Sequence, residues 1–183
     1  MAKKLTESFC RVQKEGDNRP RDVCDHCDFV AYKNPKALVG VVAHDDDGRV
    51  LLVRRNIEPR KGMWDLPRGY HENGETTEEG AKREAREEAG AQMQINALLG
   101  VYEIPEAGLV SLIYRAKLTS KELNPGPEAT EAKLFDLNEI PWDALAFPHI
   151  KPALEFHQKT ANKTDFQPDR KSFPRLAKQK PGI

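Results

Sequence analysis

Cysteine is scarce in this chain. Cys10, Cys24 and Cys27 are the only three in 183 residues. A count so small and odd does not make a disulfide framework, so the core must be held by burial and the expected compartment is reducing, that is, cytoplasmic. Net charge is absent as well: 29 Lys and Arg balance 29 Asp and Glu. No global field therefore draws the chain to nucleic acid or to an anionic membrane. No apolar run approaches the roughly 20 residues that a bilayer-spanning helix needs. The opening MAKKLTES lacks the apolar core of a secretory signal. There is no internal repeat, and the length fits one domain of ordinary size with a small appendage.

What the chain does have is a dense acidic segment. From Gly69 to Ala91, GYHENGETTEEGAKREAREEAGA, it places seven Glu in 23 positions. Thr76 followed by Glu79 has the form of a capping box, which predicts a helix starting there, and Gly90 sits where a left-handed cap ends one. Along such a helix each residue turns by about 100°, so Glu84, Glu87 and Glu88 share one face. Three carboxylates that close repel one another unless a cation holds them, and an all-oxygen set suits a hard divalent ion such as Mg²⁺ or Mn²⁺. Ala81, Ala85 and Ala89 form a small-residue stripe beside them, which lets the helix pack close to a sheet. An exposed helix laced with Glu–Lys and Glu–Arg pairs is the plainer reading. It explains neither the glycine loop upstream nor the clustering on one face.

Gly69, Glu75, Arg83-Glu84, Ala85, Glu87-Glu88, Gly90 and Ala91 stand at the spacing of the Nudix box, and the segment resembles it at every fixed position. MWDLPRG just before it is similar to the family's lead-in, with Arg68 where many members carry a small residue. The resemblance implies an α+β Nudix fold, an α/β/α sandwich with a mixed β-sheet. It implies hydrolysis of a nucleoside diphosphate linked to a further group, with water attacking the pyrophosphate and a metal stabilising the phosphoryl charge. Carried over by position, Glu84, Glu87 and Glu88, with the backbone carbonyl of Gly69, would hold Mg²⁺ or Mn²⁺. Glu84 or Glu87 would also help deprotonate the water. Arg83 would orient the carboxylates through Glu75 or Glu87. A further acidic ligand from outside the box is expected at Glu131, which opens EAKLF, with Glu128 as the second candidate.

Strands are predicted at 38–44, 49–55, 94–104, 108–118 and 131–137, with a long loop at 56–75 and a C-terminal helix at 148–161. Three regions follow: an N-terminal Cys-containing segment, 1–36, polar and poor in periodicity; the Nudix hydrolase domain, 37–160; and a flexible basic tail, 161–183, with six basic and two acidic residues from Asn162. Tyr102, Phe147, Pro148 and Trp142 are candidates for stacking on an adenine or flavin ring, against plain core packing. Tyr102 and Phe147 are the chosen substrate-binding pair.

EGDNRPRDVCDHC, YKNPKALVGVV, IEPRKGMWDLP and PGPEATEAKLFDLNEIPWDALAFP widen the resemblance to the Nudix group associated with FAD and ADP-ribose pyrophosphatase activity. That group implies a small-molecule nucleotide substrate, release of AMP and a homodimer. It also implies an N-terminal zinc ribbon, but here the first Cys pair is reduced to Cys10, and His26 is badly placed as a fourth ligand. A structural Zn²⁺ is thus one ligand short. PEAGLVSL, 105–112, departs from the polar residues usual there. The competing expectations are a hydrolase of NADH or dinucleoside polyphosphates and a non-catalytic nucleotide-binding regulator. The intact Glu set speaks against the latter.

Overall fold

The computed structural model describes residues 8–174, and the chain divides into two compact units, 1–34 and 35–183. The first is a small antiparallel sheet of β1 (Phe9–Val12), β2 (Arg21–Cys24) and β3 (Val30–Ala31), in that order. Strands this short carry too few residues to show alternation, which is why the sequence has no visible periodicity here. Arg21 closes the β1–β2 turn by gripping both carboxylate oxygens of Asp17 at 2.8–3.0 Å. Phe9 pairs with Cys24 and Cys10 with Val23. Since side chains alternate along a strand, Cys10 and Cys24 leave opposite faces of the β1–β2 ribbon. All three cysteines are free thiols.

The second unit is built on a mixed sheet. Its strands are β4 (Lys36–His44), β5 (Val50–Arg55), β6 (Trp64–Asp65), β7 (Arg68–Tyr70), β8 (Met93–Ile104), β9 (Leu109–Leu118), β10 (Ala129–Phe135) and β11 (Asp169–Ser172). The order is β10-β5-β4-β9-β8-β11, with β4–β9 and β8–β11 parallel and the other pairs antiparallel. The strands β4 and β5 share only the pair His44–Val50 and then diverge. The strand β6 takes the freed edge of β5, and β7 takes that of β4 from Leu38 to Gly40. The segment expected to be a long loop, 56–75, therefore enters the sheet, and this is what fixes Gly69 in place.

The alternation of β4 splits the core in two. Val39, Val41 and Ala43 face helix α1 (Thr77–Ala89), whose Ala81, Ala85 and Ala89 are fully buried against them. Val42 faces the other layer, where helix α2 (Ile150–Thr160) packs Ile150, Ala153 and Leu154 against Leu52, Leu99 and Ile113. This is the α/β/α sandwich expected from the sequence, an α+β arrangement around a mixed sheet.

The tail needs correcting. Asp169–Ser172 forms β11, pairing in parallel with Gly100–Glu103 at the edge of the sheet, and Phe173 N–H donates to the Glu103 carbonyl at 2.8 Å. A basic, aperiodic stretch can still be ordered when an open strand edge offers its backbone groups partners. Residues 175–183, the rest of that expected tail, lie outside the described residues. Among the described residues no helix is long and apolar enough to cross a membrane.

Candidate active site

Helix α1 is capped at both ends by its own sequence. Thr76 Oγ1 accepts from Glu79 N–H at 3.2 Å, and Glu79 Oε2 accepts from Thr76 N–H at 2.7 Å. Gly90 adopts φ 64°, which closes the C-terminus through N–H bonds from Gly90 to Arg86 O and from Ala91 to Ala85 O. The alanine stripe draws the helix so near the sheet that a Cβ at Gly69 would overlap the Glu84 carboxylate. Only glycine permits that approach.

Arg83 organises the exposed side of the cluster. Its Nε and Nη2 grip the two Glu75 oxygens at 2.9 and 2.8 Å, and Nη2 also donates to Tyr70 O at 3.0 Å. Its Nη1 reaches Glu84 Oε1 at 2.8 Å and Glu87 Oε2 at 3.2 Å. The two routes left open by the sequence, Glu75 and Glu87, are both used, and Glu84 is added. The guanidinium beside Glu75 holds that carboxyl down at about 2.

Glu88 lies deeper, 7% exposed, with Oε2 accepting from Arg68 N–H at 3.0 Å. Burial pushes its carboxyl up to about 8, with the Asp65 and Glu84 charges adding to the effect. Burial likewise raises Glu84, although Arg83 opposes it. Two desolvated carboxylates side by side are short of positive charge, and a hard divalent cation is the ligand that such oxygens fit. Among the described residues no three His, Cys, Asp or Glu side chains stand in a finished ligand arrangement, since Arg83 occupies Glu84 and Glu87.

These groups line one cavity of about 1170 Å³, together with Arg55, Arg60, Arg68, Glu128, Phe147 and His149. Arg68, singled out in the sequence only as a departure, is buried and bound to both oxygens of Asp65 at 3.0 and 3.1 Å. Its guanidinium lies 4.4 Å from the centroid of the Phe147 ring. The cavity thus has a charged part and an apolar part, the latter including Leu38, Ile104 and Leu109.

Two expected site residues are elsewhere. Glu131 does not line the cavity; Glu128 does, and its charge acts on Glu84. The reason is strand parity. Ala132 and Leu134 pack toward α1 while Phe135 packs toward α2, so Glu131 falls on the face away from the box carboxylates. Tyr102 is fully buried in the α2-side core, with its hydroxyl donating to Asp169 Oδ2 at 3.3 Å, and is no stacking platform. Trp142 packs partly buried in that same core. Phe147 and Pro148 do line the cavity. Sequence reasoning missed Asp65, Arg55, Arg60 and His149. The spacing of Asp65 and Arg68 within MWDLPRG was the one visible signal; the others carry no local pattern.

Comparison with known proteins identifies the family. The family model described as "NUDIX domain" matches residues 34–157, and the one described as "Nudix N-terminal" matches residues 9–33. An ADP-ribose pyrophosphatase of Methanocaldococcus jannaschii is 38% identical over 125 residues, covering 66% of this chain and 72% of the relative. A putative 8-oxo-dGTP diphosphatase of Bacillus subtilis is 39% identical over 66 residues, or 36% of this chain and 42% of the relative. The crystal structure of a NUDIX hydrolase from Nitrosomonas europaea superposes with a TM-score of 0.86 at 34% identity, covering 95% of this chain and 98% of that one. With the NUDIX domain model matched over residues 34–157 and the fold shared with a NUDIX hydrolase, the chain belongs to the NUDIX family of hydrolases.

Proposed function

We propose that this enzyme hydrolyses the pyrophosphate bond of a nucleoside diphosphate linked to a further group, using Mg²⁺ or Mn²⁺, with ADP-ribose and FAD as the leading substrates and AMP as a product. The observation that carries this reading is the single cavity in which desolvated Glu84 and Glu88 face the same space as Arg55, Arg60 and Arg68. Carboxylates alone repel a pyrophosphate, and arginines alone would hold it without a means of activating water. The relative named as an ADP-ribose pyrophosphatase supports the substrate.

Glu84, Glu87 and Glu88, with the Gly69 carbonyl, would hold the cation. When bound, it would offset the negative charge that grows on the phosphoryl oxygens. The chain's own groups do the rest. Arg83 keeps Glu84 and Glu87 aimed together. The cavity arginines bind and orient phosphate oxygens. Glu128, an exposed carboxylate on the cavity wall, is the outside residue placed to accept the proton of the attacking water. In-line attack at one phosphorus then breaks the P–O–P link, giving AMP and ribose 5-phosphate from ADP-ribose, or AMP and FMN from FAD. A small soluble nucleotide and three free thiols suit a reducing cytoplasmic setting.

The test is a panel of ADP-ribose, FAD, NADH, dinucleoside polyphosphates and nucleoside triphosphates with Mg²⁺ or Mn²⁺, the products resolved by chromatography. ADP-ribose or FAD should give the highest kcat/KM. A preference for nucleoside triphosphates, or no turnover of any compound by folded protein, would overturn the substrate reading.

A further inference from the structure

His149 immediately precedes α2, is 3% exposed and lines the cavity, yet neither of its ring nitrogens has a hydrogen-bond partner among the described residues. Buried polar atoms are ordinarily paired, so an unpaired imidazole on a cavity wall points to a partner that enters from the cavity. Its surroundings are rings: Phe147 at 6.0 Å, Phe173 at 6.3 Å and Tyr102 at 6.4 Å between centroids. Burial, helped by the Arg68 charge, holds it neutral. A neutral imidazole has one donor and one acceptor nitrogen. That is a poor match for a phosphate, which needs donors and positive charge and has arginines for them in the same cavity. It is a good match for the edge of a nucleobase, where donors and acceptors alternate.

Resting on the reading that this cavity takes a nucleoside diphosphate compound, we propose that His149 is a specificity-determining residue that hydrogen-bonds the nucleobase edge, with Phe147 and Pro174 covering the base from the same wall. Pro174 lines the cavity because β11 brings the chain back beside β8. The strand that the sequence hid in a tail thereby becomes part of the base pocket.

The variants His149→Phe and His149→Gln separate this role from packing. Phe keeps a ring and removes both nitrogens; Gln keeps one donor and one acceptor. ADP-glucose and UDP-glucose differ only in base and serve as the substrate pair. In His149→Phe, KM for ADP-glucose should rise about tenfold, as for loss of one hydrogen bond to substrate, with kcat held within about twofold. The ratio of kcat/KM between the two substrates should move toward one, and Gln should restore most of it. An unchanged ratio in folded His149→Phe would overturn the proposal and leave the imidazole as a core ring bonded to water.

A measurement on the wild type covers the case in which neither variant folds. AMP should shift the ¹⁵N resonances of the His149 ring, whereas ribose 5-phosphate at the same concentration should not. No shift at saturating AMP would overturn the proposal. If the wild type cleaves no nucleoside diphosphate compound while AMP still shifts His149, the hydrolytic reading has failed and the base site stands.

Discussion

The two faces of the central sheet are built from different materials. Against α1 the contact is made by Ala81, Ala85 and Ala89 on Val39, Val41 and Ala43. Against α2 it is made by Tyr102, Leu99, Ile113, Ile150 and Leu154, with Trp64, Phe147 and Phe173 packed around them. Small residues let backbones approach, so the α1 face holds carboxylates tight against Gly69 and against the backbone N–H of Arg68. Large residues fill volume, so the α2 face forms the floor and ring-lined wall of the cavity. Position is set on one face and shape on the other. The division predicts that substitutions on the α1 side damage chemistry, whereas those deep on the α2 side damage stability.

The largest effect should come from Glu88→Gln. It removes the charge and keeps volume and an oxygen for the Arg68 N–H, so thermal denaturation should show an intact fold while kcat falls about a thousandfold, near 4 kcal/mol of transition-state stabilisation. Near wild-type turnover at saturating Mg²⁺ would remove Glu88 from the site. Leu154→Ala is the counterpart across the sheet. It empties fully buried volume and should cost about 2–5 kcal/mol of stability by denaturant titration, with kcat/KM of the folded fraction changed only a few-fold. A loss of kcat as large as that of Glu88→Gln would erase the division.

Ala85→Leu sharpens the comparison. Ala85 is fully buried between helix and sheet. Overpacking there should cost about 1–3 kcal/mol and, unlike Leu154→Ala, should lower kcat more than tenfold by lifting the carboxylates from Gly69. The smallest effect is linked to pH. Burial first, then the His44 and Arg115 charges, depresses the α2-side His157 to about 4, against 6.5 for an ordinary histidine. Between those values the unfolded chain binds the proton and the folded chain does not. The stability that neutral His157 contributes is therefore complete above pH 6.5 and is lost as pH falls toward 4. His157→Phe should flatten that part of the stability–pH curve by on the order of 1–2 kcal/mol. A curve superimposable on the wild type would mean that His157 protonates freely in the fold.

Much of the α1 face was legible in the sequence because its information is local. Cap, stripe and carboxylates lie within about four helical turns of chain, and the caps form as read at Thr76 and Gly90. What failed depended on pairings between distant residues. Glu131 lost its place to Glu128 because a register shift between Ala129 and Glu131 decides which side chains face α1. Tyr102 looked like an available ring until α2 and β11 covered it. β6 and β7 are two and three residues long and exist only because β4 and β5 diverge. Strand register likewise sends the side chains of Cys10 and Cys24 to opposite faces of the β1–β2 ribbon, which their spacing in the sequence does not show. His149 has no sequence pattern, and its place on the cavity wall with nitrogens unpaired among the described residues is what marks it.

In the proposed function, the α1 carboxylates and the arginine-lined cavity act together on a pyrophosphate link. Hydrolysis of ADP-ribose in ¹⁸O-labelled water, with products analysed by mass spectrometry, tests it most directly. The wild type should give AMP and ribose 5-phosphate in equal amounts, with one ¹⁸O on the phosphate of a single product, and Glu88→Gln should form the same products about a thousandfold more slowly. Release of free adenine or adenosine without AMP, or unlabelled phosphate in both products, would contradict it.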